Sequence, residues 1–484
     1  ASDVYKRQIA ALKILGLLYK ILTTRILGLD GMRLISMIMP TLALCLSVSS
    51  LSIQTVCNQN VASNLNIKTT RISVIMLSCL RVTLISSSII SILMLLSFPI
   101  YKYIYQESFI YYPLLLCIPL LYLSNTSGVM KGYLEANNEF GTTYFSNLVE
   151  SLTKLLLTVF LLILFKEKSL EFKTIIVFLC LTLSELSSCL VLSYKIKHKR
   201  KIQWIKTNSY ERQVLKQAIP LTLTSLSATV SGYITPFVYY YACSKIQIDF
   251  LESTTYYALV TSYAIPLLIS GQYGILTISK FIFPNITKNI NRPQRLNAIL
   301  DKAFLISIVV AVISFTLCFF QADTMLKLMY DDTTSAHIVK FLAPIYLFIY
   351  FDPIFIVILQ SYQKEKSLLW ITILSQVITI ISIYALSVNP FFNTAGYIIG
   401  FSIGALFKCI ALFFFSLKTS GYKPNGLRYL AFLIPSAGYV ALLLLSKNPI
   451  YYLAISLAYI LLCLGLYCCF YSNRLKSLQS RRHK

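Results

Sequence analysis

Runs of about 20 predominantly apolar residues recur from one end of the chain to the other. A helix of that length crosses the hydrocarbon core of a bilayer, which is about 30 Å thick. The 484-residue sequence is 57% hydrophobic and 13% charged, with a mean hydropathy of +0.70, whereas soluble domains contain about 25% charged residues. A soluble protein has no interior that could bury so many such runs. The sequence therefore predicts an all-α polytopic membrane protein.

The apolar runs and the polar residues between them predict about 14 transmembrane helices. The predicted spans are 9–29, 34–57, 76–100, 110–130, 143–165, 173–194, 214–242, 255–280, 303–321, 336–359, 368–388, 393–416, 428–446 and 449–471. Only the tetrapeptide "SKNP" separates the last two. Residues 1–8 resemble a translated sequencing adapter, and we leave them out of the functional argument.

Positive charge is concentrated in alternate loops of this arrangement. With both termini on one side, most of the 43 Lys and Arg residues fall on that side, and cytoplasmic loops are the ones that carry such an excess. We therefore expect a multi-pass protein of the bacterial cell (plasma) membrane with both termini in the cytoplasm. The net charge of +25 then predicts contact with anionic lipids and no nucleic-acid partner.

One basic loop divides the spans into six, six and a final two. Many transporters consist of two such halves. The predicted organisation is an N-terminal six-helix lobe at 9–194, a basic cytoplasmic linker at 195–213, a C-terminal six-helix lobe at 214–416, two additional helices at 428–471 and a basic tail at 472–484.

Three cations interrupt the first span, "KILGLLYKILTTRILG". A charge at the bilayer centre costs at least ~2.5–3.5 kcal/mol, so such a residue normally faces a hydrated cavity or a partner. Lys13 and Lys20 are seven residues apart, which places them on one helix face, and Lys20 lies near mid-membrane. Arg25 is close enough to the outer end of the span to extend its head group to the interface.

Charged residues also occur inside later spans. Glu150 and Lys154 are spaced i, i+4, which predicts a mutual ion pair on one helix. The remaining examples are Arg81, Glu185, Lys280, Asp352 and Lys408. Arg81 and Lys280 lie near inner span ends, where an interfacial and a cavity location are equally compatible with the sequence. The excess of intramembrane cations over acids favours an anionic substrate.

Other function classes lack sequence support. The 12 Cys and 3 His are scattered, so we expect no metal site and no cofactor. No HExxH, GxSxG, DxD or Walker pattern occurs, and the outer loops are short. We expect no enzymatic activity, and a membrane-embedded glycan enzyme or a scaffold without transport ranks below a transporter. The spacing of Gly396, Gly400 and Gly404 predicts close helix packing in span 12.

Several stretches, in a fixed order, resemble a known family. They are "KILGLLYKILTTRILGLDG", "MPTLALCLSVSSLSIQTVCNQNVAS", "SGVMKGYLEANNEFGTTYFSNLVESLTKLLL", "QAIPLTLTSLS", "ILTISKFIFPNIT" and "ILQSYQKEKS". The chain resembles the multidrug/oligosaccharidyl-lipid/polysaccharide (MOP) exporter superfamily, and within it the stage V sporulation protein B-like branch that includes lipid II flippases.

The resemblance implies two six-helix lobes around a central cavity, followed by two further helices. It implies alternating access that flips a polyprenyl-pyrophosphate-linked sugar from the inner to the outer leaflet, as in peptidoglycan, sporulation or polysaccharide biosynthesis. Lys13 and Arg25 match basic residues of the family, and Glu150 with Lys154 matches an acid–base pair. Gln54 and Gln59 stand where relatives usually have a proline and a basic residue at the end of span 2, and the usual acid of span 7 is absent.

These departures leave open the exact substrate and the ion coupling. The alternative function is a MATE-type cation/drug antiporter, a class that normally has intramembrane acids, of which this chain has few. The sequence does not specify the glycan, the coupling ion or membrane potential, or the oligomeric state. Under the flippase hypothesis, the span 1 cations meet the pyrophosphate of the substrate in a hydrated cavity. The candidate cavity residues are Lys13, Lys20, Arg25, Gln54, Arg81, Glu150, Lys154, Glu185, Lys280 and Lys408.

Overall fold

The computed structural model describes residues 2–63, 69–97, 108–199, 209–422 and 435–442, together with positions 455, 458–459 and 461–463. The regular structure in this part of the chain is helical. The helices are α1 (Ser2–Ser50), α2 (Ile53–Ala62), α3 (Thr69–Leu96), α4 (Tyr111–Leu116), α5 (Ile118–Ala136), α6 (Phe140–Leu164), α7 (Leu170–Lys199), α8 (Ser209–Lys245), α9 (Phe250–Ala258), α10 (Ile265–Ser270), α11 (Gln272–Asn289), α12 (Pro293–Phe320), α13 (Ala322–Tyr330), α14 (Ala336–Ile349), α15 (Asp352–Ser361), α16 (Glu365–Ser387) and α17 (Gly396–Ser420). A π-helical turn, Leu259–Ala264, joins α9 to α10.

Nine helical segments of the described residues are long and apolar enough to cross a membrane, or ten when one bent pair is counted as a span. The first segment, Ala11–Ala62, has 52 residues, roughly 78 Å at 1.5 Å per residue, which is enough for two crossings. The predicted all-α membrane fold is confirmed. The spans 428–446 and 449–471, the tail and part of the linker lie largely outside the described residues, so the count of fourteen stays a prediction.

The chain forms two compact units. Unit 1 comprises Ala1–Ser262 and Gln376–Gly400, and unit 2 comprises Tyr263–Ser375 and Phe401–Lys484. Unit 1 includes α8 and α9 as well as the first seven helices, so the boundaries of the units differ from those of the predicted lobes at 9–194 and 214–416. The two lobes stay a prediction.

Helix α1 is interrupted at Gly28. This residue has φ +66° and ψ −171°, a conformation that glycine adopts readily and other residues do not. We call the segments before and after it, 2–27 and 29–50, α1a and α1b. The sequence predicts a loop at 30–33 between spans 1 and 2. Because a single glycine makes the turn, those four residues instead begin α1b.

The second predicted span is also broken. Leu51 and Ser52 have left-handed backbones, with φ of 48° and 50°, and the chain resumes as α2. This short helix packs on α5, where Gly132 provides the room. A Cβ added at Gly132 would collide with the backbone oxygen of Gln54 and lie 3.2 Å from Cβ of Cys57. The close packing of α2 on α5 therefore depends on the absence of a side chain at Gly132.

Gly132→Ala is expected to lower the stability of the protein by about 1–3 kcal/mol, because overpacking forces the backbones apart. The matched control is Gly128→Ala, one helical turn earlier. A Cβ at Gly128 would lie 3.7 Å from Cγ2 of Ile53, which is ordinary contact. Thermal unfolding of both purified variants, followed with a thiol-reactive dye that reports on buried cysteines, measures the difference. Equal melting temperatures for the two variants would contradict this account of the packing.

Two glycines of the predicted span 12 motif mark another close approach in unit 1. A Cβ at Gly396 would lie 2.6 Å from the backbone nitrogen of Ser387, and one at Gly400 would lie 2.5 Å from that of Ile383. Both neighbours belong to α16. The predicted close helix packing is confirmed at these two positions.

The predicted span 255–280 is bent by 55° between Phe250–Ser270 and Gln272–Asn289, and the break at Gly271 lies in unit 2. At the break, a Cβ on Gly271 would collide with the hydroxyl of Ser314 and lie 2.6 Å from that of Tyr350. The Tyr350 hydroxyl donates to the carbonyl oxygen of Leu268 (2.6 Å), and Gln272 Nε2 donates to that of Ile349 (2.8 Å). The break is thus stabilised by the Tyr350 and Gln272 side chains, and Gly271 leaves room for the Ser314 and Tyr350 hydroxyls.

Candidate functional site

A cavity of about 490 Å³ lies beside Lys20 in unit 1. We call it the Lys20 cavity. Its walls come from α1a, α1b, α8, α9 and the π-helical turn. The lining residues are Lys20, Ile35, Ser36, Met39, Pro40, Ala43, Ala228, Thr229, Gly232, Tyr257, Thr261 and Ser262.

The turn at Gly28 brings the two halves of α1 to this cavity. In a straight helix, Lys20 and Ala43 would be roughly 34 Å apart at 1.5 Å per residue, too far to line one cavity of this volume. Lys20 lies eight residues before Gly28, and Ser36 lies eight residues after it. When the chain folds back at Gly28, residues equally distant from the turn come to face each other.

The walls of the Lys20 cavity combine hydroxyl groups with apolar surface. The hydroxyls belong to Ser36, Thr229, Tyr257, Thr261 and Ser262. Ser36 donates to the carbonyl oxygen of Arg33 (2.8 Å) and Thr261 to that of Tyr257 (2.8 Å). Within the part of the chain that the structure describes, no carboxylate lies within 4 Å of the Lys20 ammonium. A cation with hydroxyl neighbours and no acidic partner suits an anionic ligand.

The other two cations of span 1 lie elsewhere. The side chains of Lys13 and Arg25 are exposed, and neither lines the Lys20 cavity. Sequence reasoning missed Arg33, which it assigned to a loop. In the structure Arg33 is half-buried on α1b, and its Nη1 donates to Oγ1 of Thr254 on α9 at 3.5 Å. Extending span 2 back to Gly28 would have revealed this cation.

Four charged side chains form a separate cluster in unit 1, which we call the acid–base cluster: Lys131 on α5, Glu150 and Lys154 on α6, and Glu185 on α7. The predicted ion pair between Glu150 and Lys154 is wrong. Glu150 Oε2 instead pairs with Nζ of Lys131 at 3.3 Å, and these side chains are 27% and 12% exposed. Glu150 therefore pairs with Lys131, a largely buried lysine on the neighbouring helix α5, and not with Lys154, which lies one turn away on its own helix.

Lys154 makes a different contact. Its ammonium lies 4.5 Å from the ring centroid of Tyr19 on α1a, within the range of a cation–π interaction. Glu185 is buried and accepts a hydrogen bond from the Ser127 hydroxyl. Ser127 and Lys131 are spaced i, i+4, so one face of α5 supplies a partner to each acid. The predicted span 4 ends at residue 130, one residue before Lys131, so this cation was not among the predicted intramembrane charges.

Gln54 and Arg81 are held by acids at a third place in unit 1. Gln54 Nε2 donates to Oε1 of Glu135 at 2.9 Å. Arg81 Nη1 pairs with Oε1 of Glu211, near the start of α8, at 3.2 Å. Neither residue lines the Lys20 cavity. The Arg81–Glu211 ion pair joins α3 to α8.

Unit 2 contains the two remaining candidates. Lys408 Nζ lies 3.1 Å from Oδ2 of Asp352, and their side chains are 31% and 8% exposed. Lys280 is exposed. An apolar cavity of about 620 Å³ adjoins the pair. Its lining is largely aromatic: Phe304, Ile308, Phe348, Phe351, Phe355, Cys409, Ile410, Phe413, Phe414, Leu417 and Tyr422. Among the described residues no group of three His, Cys, Asp or Glu side chains is placed to hold a metal ion.

Known proteins were compared with the chain. No family model matches it. It is 21% identical over 397 residues to stage V sporulation protein B of Bacillus subtilis (strain 168), covering 79% of this chain and 76% of that protein. The inward closed structure of lipid II flippase MurJ superposes with a TM-score of 0.71 at 18% identity, over 98% of this chain and 100% of that one.

A third similar protein is an inward-facing multidrug resistance MATE family transporter of the MOP superfamily. It superposes with a TM-score of 0.66 at 13% identity, over 85% of this chain and 94% of that chain. The chain therefore has the fold of these two solved transporters. The predicted resemblance is confirmed at the level of the fold.

Proposed function

We propose that the chain is a flippase that moves a polyprenyl-pyrophosphate-linked sugar from the inner to the outer leaflet by alternating access. The observation that carries the proposal is the Lys20 cavity, where a cation faces hydroxyl groups inside an apolar helix bundle and, among the described residues, has no carboxylate within 4 Å. The similarity to lipid II flippase MurJ supports the same substrate class.

The mechanism requires no covalent chemistry. A diphosphate cannot enter hydrocarbon without a large loss of solvation free energy. Lys20 and the surrounding hydroxyls replace part of that solvation, while the polyprenyl tail stays in the lipid. Small-molecule sites typically measure about 300–1,000 Å³, so a cavity of about 490 Å³ accommodates the diphosphate and the adjoining sugar rather than the whole lipid.

Two elements of the proposal come from the loop charges and the resemblance. We place both termini in the cytoplasm of a bacterial plasma membrane, and we assign the alternating motion to two six-helix lobes at 9–194 and 214–416. Anionic lipids contact the basic loops. Lys13, Arg25, Gln54, Arg81, Lys280 and Lys408 remain candidates for contact with the substrate at other stages of the cycle.

Complementation tests the substrate class. In a bacterial strain depleted of its lipid II flippase, expression of the chain should restore growth and cell-wall synthesis. If growth is not restored, flipping of fluorescent undecaprenyl-diphosphate sugars by the purified protein in proteoliposomes decides between another glycan and a different function. Failure to flip any lipid-linked sugar would overturn the proposal.

The second candidate, a MATE-type cation antiporter, is favoured by the similar MATE structure. Such a transporter needs acids that are available to cations. Here Glu150 is paired with Lys131, Glu185 accepts from Ser127, and Asp352 is paired with Lys408.

Expression in a strain that lacks its multidrug pumps should therefore leave resistance to cationic dyes unchanged. The minimum inhibitory concentration of ethidium, with and without the chain, measures this. Resistance that rises at least fourfold with the wild type and disappears in Glu185→Gln would establish the antiporter in place of the flippase.

A further inference from the structure

Residues 11–22 of α1a pack only partly into the helix bundle. None of the residues 11–22 is fully buried. Ile14 and Leu18 are 58% and 43% exposed, and a Cβ added at Gly16 would have no neighbour within 4 Å. Between residues 11 and 27, the first buried side chains are those of Thr23 and Thr24, close to the turn. Lys20 therefore lies in a stretch of α1a, residues 11–22, that contributes no fully buried side chain to the core.

A specific contact restrains the rotation of α1a. The ring of Tyr19 lies under the Lys154 ammonium at 4.5 Å, which fixes one face of α1a against α6. Adjacent helical residues point about 100° apart, so Lys20 is directed away from α6. That direction is the one in which the Lys20 cavity lies, between α1b, α8 and α9.

The acid–base cluster leaves Lys154 available for this contact. Its nearest sequence partner, Glu150, is engaged by Lys131 at 3.3 Å. Within the described residues no carboxylate approaches the Lys154 ammonium to 4 Å. The aromatic face of Tyr19 is then the favourable place for this cation in an apolar bundle.

We propose that Tyr19 and Lys154 form a positioning pair that sets the rotation of α1a and thereby holds Lys20 in its cavity. The pair acts through Lys20 and does not touch the substrate. The inference rests on the proposed function, because it assigns Lys20 the role of binding the diphosphate. Turning α1a by a single residue position would carry Lys20 out of the cavity.

Binding of farnesyl diphosphate to the purified full-length protein in nanodiscs, followed by calorimetry, tests the pair. Lys154→Met and Tyr19→Leu should each weaken binding about five- to tenfold, the effect expected for a cation–π contact away from bulk water. The double variant should be no weaker than either single one. Lys154→Arg and Tyr19→Phe preserve the cation and the ring, and they should stay within about twofold of the wild type.

A Lys20→Gln background provides the control. There, Lys154→Met should have no further effect, since the residue it positions is gone. Two results would overturn the pair: additive losses of affinity in the Tyr19→Leu, Lys154→Met double variant, or an equal loss of affinity from Lys154→Met in the Lys20→Gln background. Either result would show that Lys154 acts on the anion itself or only on folding. Thermal melting of each variant excludes unfolded samples.

A second readout separates this inference from the proposed function. Acylation of Lys20 by a water-soluble reagent, quantified by mass spectrometry, should accelerate at least threefold in Lys154→Met and Tyr19→Leu, but not in Lys154→Arg or Tyr19→Phe. If labelling responds in this way while no variant, Lys20→Gln included, changes farnesyl diphosphate binding, the pair is real and the substrate proposal fails. If labelling does not respond, the pair fails whatever the binding data show.

Discussion

Lys20→Gln should reduce flipping of an undecaprenyl-diphosphate sugar roughly 10- to 100-fold, the range expected when one charge-assisted contact is lost. Thermal stability should be unchanged or higher, because an intramembrane cation costs free energy in the absence of substrate, and no carboxylate of the described residues lies within 4 Å of Lys20. The assay uses a fluorescent substrate in proteoliposomes and an impermeant quencher that reports on the outer leaflet. Melting of the same preparation gives the stability.

Lys20→Arg and Lys13→Gln are the matched controls. The arginine keeps the charge and should retain most activity, whereas Lys13 is exposed and lies outside the cavity, so its loss should have a smaller effect. A Lys20→Gln protein that melts at a lower temperature yet flips at the normal rate would mean that this lysine is structural. The Lys20 cavity would then not be the substrate site.

Lys408→Met should cause the largest loss of stability among the substitutions considered. It leaves the nearly buried carboxylate of Asp352 without its ion-pair partner. Breaking a buried pair by removing one member typically costs about 3–5 kcal/mol, whereas replacing both members with apolar groups is often neutral. The double change Asp352→Leu with Lys408→Met should therefore recover most of the stability. Yield and monodispersity after extraction from the membrane, together with thermal melting, measure both variants.

The contrast between single and double variants decides the interpretation. If Lys408→Met folds as well as the wild type, Asp352 has become neutral or has found another partner, and the pair contributes little to unit 2. If the double variant is stable but inactive in the flipping assay, the pair serves transport as well as folding.

Hydropathy was sufficient to predict the helical membrane fold, because each span must satisfy its own backbone hydrogen bonds in lipid. It was insufficient for the breaks inside the spans. Gly271 and Gly132 act through neighbours distant in the sequence, Ser314 and Gln54. A glycine in an apolar run does not reveal which neighbour will approach it, so the bends could not be placed.

The candidate site shows the same division. Lys20 could be singled out because a lysine near mid-span is costly wherever the helix lies. The partner of Glu150 could not be predicted from the sequence, because the i, i+4 spacing favoured Lys154 whereas the actual partner, Lys131, lies on another helix. The hydroxyls of the cavity were equally hidden, because serine and threonine in apolar helices commonly bond to their own backbone.

The one-residue turn at Gly28 has a consequence for the synthesis of the protein. Because only Gly28 separates α1a from α1b, we expect the two helices to enter the bilayer together as one hairpin, with the apolar residues of α1b offsetting part of the cost of transferring Lys20. The cavity walls from α8 and α9 lie about 200 residues further along the chain, and at ~5–20 residues per second they emerge roughly 10–40 s later. Throughout that interval, Lys20 lies in the membrane before the remaining walls of its cavity have been translated.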